Sequence, residues 1–451
     1  MFDHGLLRPD RLSEENLRMN KKLTALAVAG ALAAPAAAFA QASNVTIYGR
    51  ANLGLDTYSA TGATAGSAFD YKSRNRVYDA GSRLGFNGTE DLGGGLKAIF
   101  LMESGVNIDT GGATGQSGSP NPNSGLLSSR VGHVGLESSS WGRLTFGRSH
   151  VWWGNSTIEQ TGANYIAAGV PLFNGLLGRG MQVGVARQSN TLQYSAAMGG
   201  KAIQISYSPG GESQGAGLNA DGKLWAVTLQ GQWGPFGAGY DWARMWGNTP
   251  AAPIAPATAA ACGVALAVPT ALCSQPSTTG HKLRAGWTYQ PGGQISVLWV
   301  KSVQDNGGAT AILTAAGSAA LALVPDTYAS SLSQTSWGLS WEHLFGNVQA
   351  LAQWGRVNNI TGCSNRVAGA CDNTNATSWM IAGRYIFSKR TAMYVNFATI
   401  RNASNYNMDY IGGWMTSAST TLGGANIAPG LAPANVGADP RLFGVGVMHN
   451  F

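Results

Sequence analysis

"FGVGVMHNF", residues 443–451, closes the chain with a strict alternation of side chains. Phe443, Val445, Val447 and Phe451 share one parity, and glycine, methionine and asparagine fill most of the other. A period of two is typical of a β-strand with two different faces. Because the last residues of most soluble domains fray, an aromatic terminus in this pattern predicts a chain that ends inside a sheet.

The composition favours one large β-structure over several soluble domains. Charged residues make up 11% of the 451 residues, against a usual share of about 25%. Glycine occurs 63 times, roughly twice its average frequency. A soluble protein with so few charges would be poorly solvated, so the sequence predicts a sheet with a non-aqueous face. The mean hydropathy of −0.04 argues against a helical membrane protein.

The first forty residues have the features of an export signal. Two lysines at 21–22 precede an apolar run over 23–34, and Ala38-Phe39-Ala40 matches a signal-peptidase site. The run is too short for a membrane helix. We therefore predict a signal peptide over 19–40, a start site assigned too early for 1–18, and a mature chain of 41–451.

The mature chain repeats the alternation of its last strand many times. "VTIYGRANLGLD" sets Val45 and Ile47 against Arg50, and "LKAIFLME" sets Met102 against Glu103. Short links rich in glycine, proline and serine join pairs of such segments, and long segments without a period separate the pairs. We place strands near 45–57, 80–90, 95–107, 128–138, 142–148, 187–198, 201–208, 222–232, 236–246, 280–290, 294–304, 334–344, 347–357, 377–387, 391–401 and 440–451.

Sixteen amphipathic strands with seven short turns and eight long loops predict an all-β, antiparallel transmembrane barrel of the outer-membrane type. The alternative is a large soluble β-sandwich or jelly roll, in which long and short links rarely alternate so regularly. In a bilayer no sheet edge can stay unpaired. The last strand should therefore pair with the first, and Phe451 should lie in the aromatic girdle at the membrane boundary.

The same residues resemble a known family. "NVTIYGRANLG", "GSRLGFNGTEDLGGGLKAIFLMESG", "VGLESSSWGRLTFGRS" and the terminal "VGVMHNF" are similar to the general trimeric porins of Gram-negative bacteria, in particular those of β-proteobacteria. The resemblance implies a sixteen-stranded homotrimer with short periplasmic turns, long extracellular loops and an inward-folded third loop. It also implies passive diffusion of small hydrophilic solutes, and a terminal Phe451 that acts as a signal to the barrel assembly machinery.

The resemblance further implies a pore constriction with basic residues on the wall. Its motifs carry over to Arg50, Arg83, Arg148 and Arg187. Alternation independently turns Arg50, Arg83 and Arg187 away from the apolar face, where an arginine at the bilayer midplane would cost about 2–4 kcal/mol. Arg148 has the parity of Phe146, so we expect it at a strand end. A solvated charge at the rim is the alternative for each arginine.

The third long segment, 149–186, carries Glu159 as its one acid together with Arg179. The acidic side of the constriction is therefore thin, and the sequence predicts a pore that prefers small anionic or neutral hydrophilic solutes. A channel selective for phosphate, organic acids or sugars would look similar. A plugged structural or adhesive barrel is a further alternative.

The sequence gives no pattern for catalysis or for a cofactor. No serine lies in G-x-S-x-G, the histidines lack H-x-x-x-H spacing, and the glycines at 93–95 have no lysine to hold phosphate. Lysine and arginine are dispersed, which argues against nucleic-acid binding. An outer-membrane phospholipase is the enzymatic alternative, and lipid hydrolysis without conductance would identify it. The partners that we expect are outer-membrane lipid and lipopolysaccharide.

The four cysteines lie in two of the long segments. Export favours their oxidation, and the local pairs Cys262–Cys273 and Cys363–Cys371 close short loops. Four cysteines allow three pairings. Peptide mapping without reduction distinguishes them, because a fragment that links the two segments would rule out the local pairs.

Overall fold

The computed structural model describes residues 44–109, 112–113, 128–151, 187–209, 223–246, 277–305, 331–362, 371–406, 408 and 437–451. Its strands are β1 (Asn44–Thr61), β2 (Tyr71–Asp79), β3 (Arg83–Gly93), β4 (Leu96–Asn107), β5 (Gly112–Ala113), β6 (Val131–Ser138), β7 (Gly142–His150), β8 (Arg187–Met198), β9 (Lys201–Ser208), β10 (Leu224–Trp233), β11 (Phe236–Trp246), β12 (Ser277–Gln290), β13 (Gly293–Asp305), β14 (Ser331–Phe345), β15 (Val348–Val357), β16 (Ala376–Ile386), β17 (Thr391–Asn402) and β18 (Asp439–Asn450). A 3-10 helix, Ser67–Phe69, lies between β1 and β2. Within these ranges no helix has the length and apolar character needed to cross a membrane.

The strands close into one antiparallel barrel. Each pairs with its neighbours along the chain, and β18 pairs with β1 over twelve positions, from Arg50 opposite Asn450 to Thr61 opposite Asp439. Segments β2 and β3 form two halves of one interrupted strand, because β1 pairs with both. With β5 set aside as a two-residue extension of β4, the described residues contain the sixteen barrel strands that the sequence predicts. The closure of the last strand on the first is confirmed.

Strand β17 shows how the alternation sorts the two faces of the wall. Met393, Val395 and Phe397 are 41–48% exposed, whereas Tyr394 and Asn396, which alternate with them, are at most 4% exposed. The apolar parity therefore faces outward, where lipid would cover it, and the other parity forms the inner wall. Apolar side chains on the inner wall pack in two patches, one on β10, β11 and β13 and one on β15–β18 with β1 and β2.

Short turns join the strands at one end of the barrel. Gly199 and Gly200 connect β8 to β9 with φ values of 57° and 75°, the left-handed backbone of a two-residue hairpin turn. Aromatic side chains crowd the outer surface near these turns. Phe236 stacks on Trp287 at 6.2 Å, and Phe451 is 49% exposed at the same end. This arrangement agrees with the aromatic girdle that the chain end predicts.

The expectation of a loop over 58–79 is wrong in part. Strand β1 continues to Thr61, and β2 returns beside it from Tyr71. The strand is interrupted at 80–82, where Asp79 Oδ1 accepts hydrogen bonds from the amides of Gly81 (2.8 Å) and Ser82 (2.7 Å). The sequence of β2, "YKSRNRVYD", is polar on both faces, so it lacks the alternation by which the other strands were found.

Candidate functional site on the inner wall

Glu103 lies at the centre of a basic cluster on the inner wall. Its Oε1 accepts a hydrogen bond from Arg130 Nε at 2.7 Å, and its Oε2 accepts one from the Tyr48 hydroxyl at 3.1 Å. Arg83 Nε approaches Oε2 at 3.6 Å. The side chains of Glu103 and Arg130 are each 10% exposed. The alternation of β4 accounts for the inward carboxylate, because the preceding Met102 is exposed.

Arg50 lies beside this group on β1. It is the direct cross-strand partner of Arg83 on β3 and of Asn450 on β18. Partners opposite each other on neighbouring strands share a face, so both predicted arginines occupy the inner wall. Arg50 Nε donates to Asn450 Oδ1 at 2.8 Å. Arg50 and Arg83 thus share a face of the wall, and their place in a pore constriction stays a prediction.

Arg148 and Arg187 reach the cluster from β7 and β8 by way of an irregular pairing. The register shifts between Gly147 and Ser149, and Asn190 has a positive φ of 53°. Arg148 donates to Ser129 O at 3.1 Å and to Ser189 Oγ at 2.7 Å. As expected, it lies near the end of its strand.

The strand alternation that the sequence predicts for Arg187 is interrupted by this register shift. The shift pairs Thr191 with Gly147 but Gln188 with Ser149, so simple alternation from Thr191 does not extend to Arg187. The side chain still lies close enough to Arg83, Arg130, Arg148 and Glu103 for their charges to interact. The parity argument for Arg187 therefore does not apply, and its role in a pore constriction stays a prediction.

We call Arg50, Arg83, Arg130, Arg148 and Arg187 the arginine cluster. Glu103 contacts Arg83 and Arg130 of this cluster directly, and its charge also acts on Arg187. An arginine side chain stays protonated in proteins, so the cluster keeps a positive charge at any physiological pH. Such a surface can attract and guide anions, but it offers no nucleophile.

Sequence reasoning missed Arg130, Glu103 and Tyr48 as members of the site. Alternation did place Glu103 on the wet face, and that signal could have found it. Arg130 falls within the strand predicted near 128–138, but β6 begins only at Val131, so the parity of that strand does not extend to it. The contact between these two residues depends on strand register, which the sequence does not show.

A second charged group on the inner wall holds one carboxylate between two cations. Asp241 Oδ2 lies 2.9 Å from Arg284 Nη1 and 3.3 Å from Lys282 Nζ, and all three side chains are fully buried. They join β11 to β12 and leave one net positive charge. Full burial makes this group a support of the wall rather than a surface for passing solutes.

Several predicted site residues lie outside the described ranges. These are Glu159 and Arg179, and three of the four cysteines, Cys262, Cys273 and Cys363. Cys371 is described and is disulfide-bonded, and the pairing of the cysteines stays a prediction. No group of three or more His, Cys, Asp or Glu residues in the described part of the chain could hold a metal ion.

The chain matches the family model of Gram-negative porins over residues 24–405. It is 39% identical over 132 residues to an outer membrane porin protein of Bordetella pertussis, covering 27% of this chain and 32% of that one. It is 31% identical over 232 residues to the major outer membrane protein P.IB of Neisseria gonorrhoeae, covering 49% and 59%. The matches thus span less than two thirds of either relative.

Two solved structures share the fold at low sequence identity. The anion-selective porin from Comamonas acidovorans matches with a TM-score of 0.62 and 20% identity, over 91% of this chain and all of that one. OmpT of Vibrio cholerae in its trimer form matches with a TM-score of 0.54 and 10% identity, over the same shares.

Proposed function

The chain belongs to the family of Gram-negative porins, and from this premise we propose that it forms a water-filled channel for passive diffusion of small hydrophilic solutes and ions, with a preference for anions. Family and barrel place it in the outer membrane. The observation that carries the proposal is the convergence of five arginines on the inner wall of a closed barrel. Passive diffusion requires no catalytic step and no cofactor, so we propose none.

The arginine cluster would select among permeating ions by its positive electrostatic field. Low-dielectric walls concentrate the field of a cleft lined by one sign of charge and raise the local concentration of counter-ions. Solutes that carry a negative charge would be enriched, while small neutral solutes would pass according to size. The name of the Comamonas porin, which has the same fold, supports the same sign of selectivity.

We propose that Arg50, Arg83, Arg148 and Arg187 line the constriction together with Arg130. We further propose that the segment 149–186 is the inward-folded third loop, and that its Glu159 and Arg179 face the arginines across the constriction. Val151, the last described residue at the start of that segment, is fully buried in one apolar cluster with Leu224 and Val300 of the inner wall. The chain therefore enters the segment on the inner side of the barrel, which supports this placement.

The first prediction concerns selectivity across a planar bilayer. In a KCl gradient the zero-current potential of the wild type should report anion preference, more strongly at low salt, because the screening length falls from about 30 Å at 0.01 M to about 3 Å at 1 M. Replacing Arg50 and Arg83 by Gln should reduce that preference without unfolding the barrel. Lys389 and Arg390, exposed in the turn before β17, supply the matched control when both are replaced by Gln. A cation-selective wild type would refute the proposal.

The second prediction concerns assembly and lipid. A homotrimer follows from the resemblance, and the trimer form of the Vibrio protein supports it. Five cations alternate with buried inner-wall residues near the loop end of the barrel, so they face outward at the height of phosphate-bearing lipopolysaccharide headgroups. They are Lys223, Lys301, Arg356, Arg401 and Arg441. Native mass spectrometry in mild detergent should detect a trimer that retains lipopolysaccharide. A monomer would argue against the homotrimer, and the absence of bound lipid would argue against the lipopolysaccharide contact.

A further inference from the structure

The penultimate residue of the chain touches the arginine cluster. Asn450 lies directly opposite Arg50 where β18 meets β1, and its Oδ1 accepts a hydrogen bond from Arg50 Nε at 2.8 Å. The two residues are 400 positions apart in the sequence. This contact can therefore form only when the last strand closes on the first. We call that junction of β18 and β1 the closure seam.

The backbone holds Asn450 firmly from two sides. Its amide donates to Arg390 O at 2.8 Å, which ties it to the start of β17. The next residue, Phe451, exchanges two backbone hydrogen bonds with Gly49, at 3.1 and 3.2 Å. Asn450 is thus a fixed point on the inner wall. Arg50 is a long side chain with about 2 kcal/mol of rotamer entropy, so a bond to a fixed acceptor restricts where its guanidinium can lie.

The chemistry of the amide suits this role. An amide oxygen accepts the hydrogen bond without cancelling the positive charge, whereas the carboxylate of Glu103 offsets the charges of Arg83 and Arg130. An aspartate at position 450 would hold Arg50 equally well and remove its contribution to the field.

We propose that Asn450 is a positioning residue for selectivity: it sets the orientation of the Arg50 guanidinium, so that closure of the seam completes the basic wall of the pore. The inference rests on the proposed anion preference and extends it to a residue outside the arginine cluster.

A double-mutant cycle on the full-length protein tests the proposal. Zero-current potentials in a KCl gradient are measured for wild type, Asn450→Ala, Arg50→Gln and the double variant. Asn450→Ala should lose part of the anion preference that Arg50→Gln loses, and it should have no further effect once Arg50 is replaced. Non-additivity of this kind marks two groups that act through one another. Asn450→Asp should reduce the preference at least as much as Arg50→Gln does.

Two controls separate positioning from a general effect on the strand end. His449, whose Nδ1 bonds to Thr391 Oγ1 at 2.9 Å, points away from the inner wall, so His449→Ala should leave the potential unchanged. Asn450→Ser keeps a polar group, and it replaces Asn450→Ala in the double-mutant cycle if that variant does not assemble. Wild-type selectivity in both Asn450→Ala and Asn450→Ser, or effects that add to those of Arg50→Gln, would overturn the proposal. A wild type without anion preference would refute the proposed function instead, and the cycle would still report the coupling.

Discussion

At the scale of single residues, Glu103 has two opposing effects. It lowers the positive charge of the arginine cluster, and it stabilises Arg130 at 2.7 Å in a site where both side chains are 10% exposed. Breaking a buried ion pair by removing one partner costs about 3–5 kcal/mol. Glu103 therefore reduces the net positive charge of the inner wall and stabilises its packing.

The third prediction follows from this balance. Glu103→Gln should raise the anion preference in a KCl gradient, and it should lower thermal stability in detergent, because Arg130 remains buried without its counter-charge. The matched control is Glu137→Gln, whose partner Arg143 is 48% exposed. Exposed pairs contribute about 0–1 kcal/mol, so that control should unfold near the wild-type temperature. An unchanged potential in Glu103→Gln would show that its charge does not reach the permeating ions.

Single positions also show what alternation could and could not predict. Parity alone predicts that Arg50, Arg83 and Glu103 point inward, because each has the parity opposite to the apolar side chains of its segment. It did not account for Arg187, since the register shift beside Asn190 changes the parity. Asparagine can adopt a left-handed backbone conformation, but no local sequence pattern predicts it at Asn190.

At the scale of strands, the closure seam is packed by tyrosines that lie over glycines. The Tyr394 ring covers Gly446, and the Tyr78 ring covers Gly54. The two hydroxyl groups are 3.2 Å apart, and Tyr394 donates to Asn52 Oδ1 at 3.0 Å. Glycine is needed here because of the close approach, and the hydrogen bonds satisfy the buried hydroxyl groups.

The fourth prediction tests that packing. A Cβ at Gly446 would overlap the Tyr394 ring, so Gly446→Ala should displace the ring, break its hydrogen bond to Asn52 and cost about 1–3 kcal/mol. Gly383→Ala on β16 is the control, because its nearest neighbour would be Val395 Cγ1 at an ordinary 3.7 Å. Heat modifiability on gels measures the folded fraction of each variant. Equal stability of the two variants would show that the Tyr394 ring does not pack closely on Gly446.

The strands differ in how well the sequence predicts them. In a strand such as β9 the alternation is clear, because Gln204, Ser206 and Ser208 are buried on the inner face and apolar residues take the other parity. The sequence predicts a loop where β2 lies, because both faces of β2 are polar and no apolar alternation marks the strand.

For the whole molecule, the final residue completes the closure of the barrel. Phe451 covers Gly49 with its ring and exchanges two backbone hydrogen bonds with it, and its side chain is 49% exposed at the turn end of the barrel. One residue thus completes the last strand and presents an aromatic group on the outer surface. The sequence predicted both features from parity and from the need to close a barrel in lipid.

The fifth prediction separates these roles. Phe451→Ala keeps the chain length and the backbone pairing with Gly49 but removes the ring, so it should lower the amount of heat-resistant trimer in the outer membrane. Phe451→Tyr retains an aromatic ring and should assemble at nearly wild-type levels. Because Asn450 keeps its contact with Arg50 in both variants, the channels that do assemble should show wild-type conductance and selectivity. Wild-type trimer levels from Phe451→Ala would contradict the role of the ring in assembly. An altered zero-current potential would show that Phe451 also affects the ion selectivity of the pore.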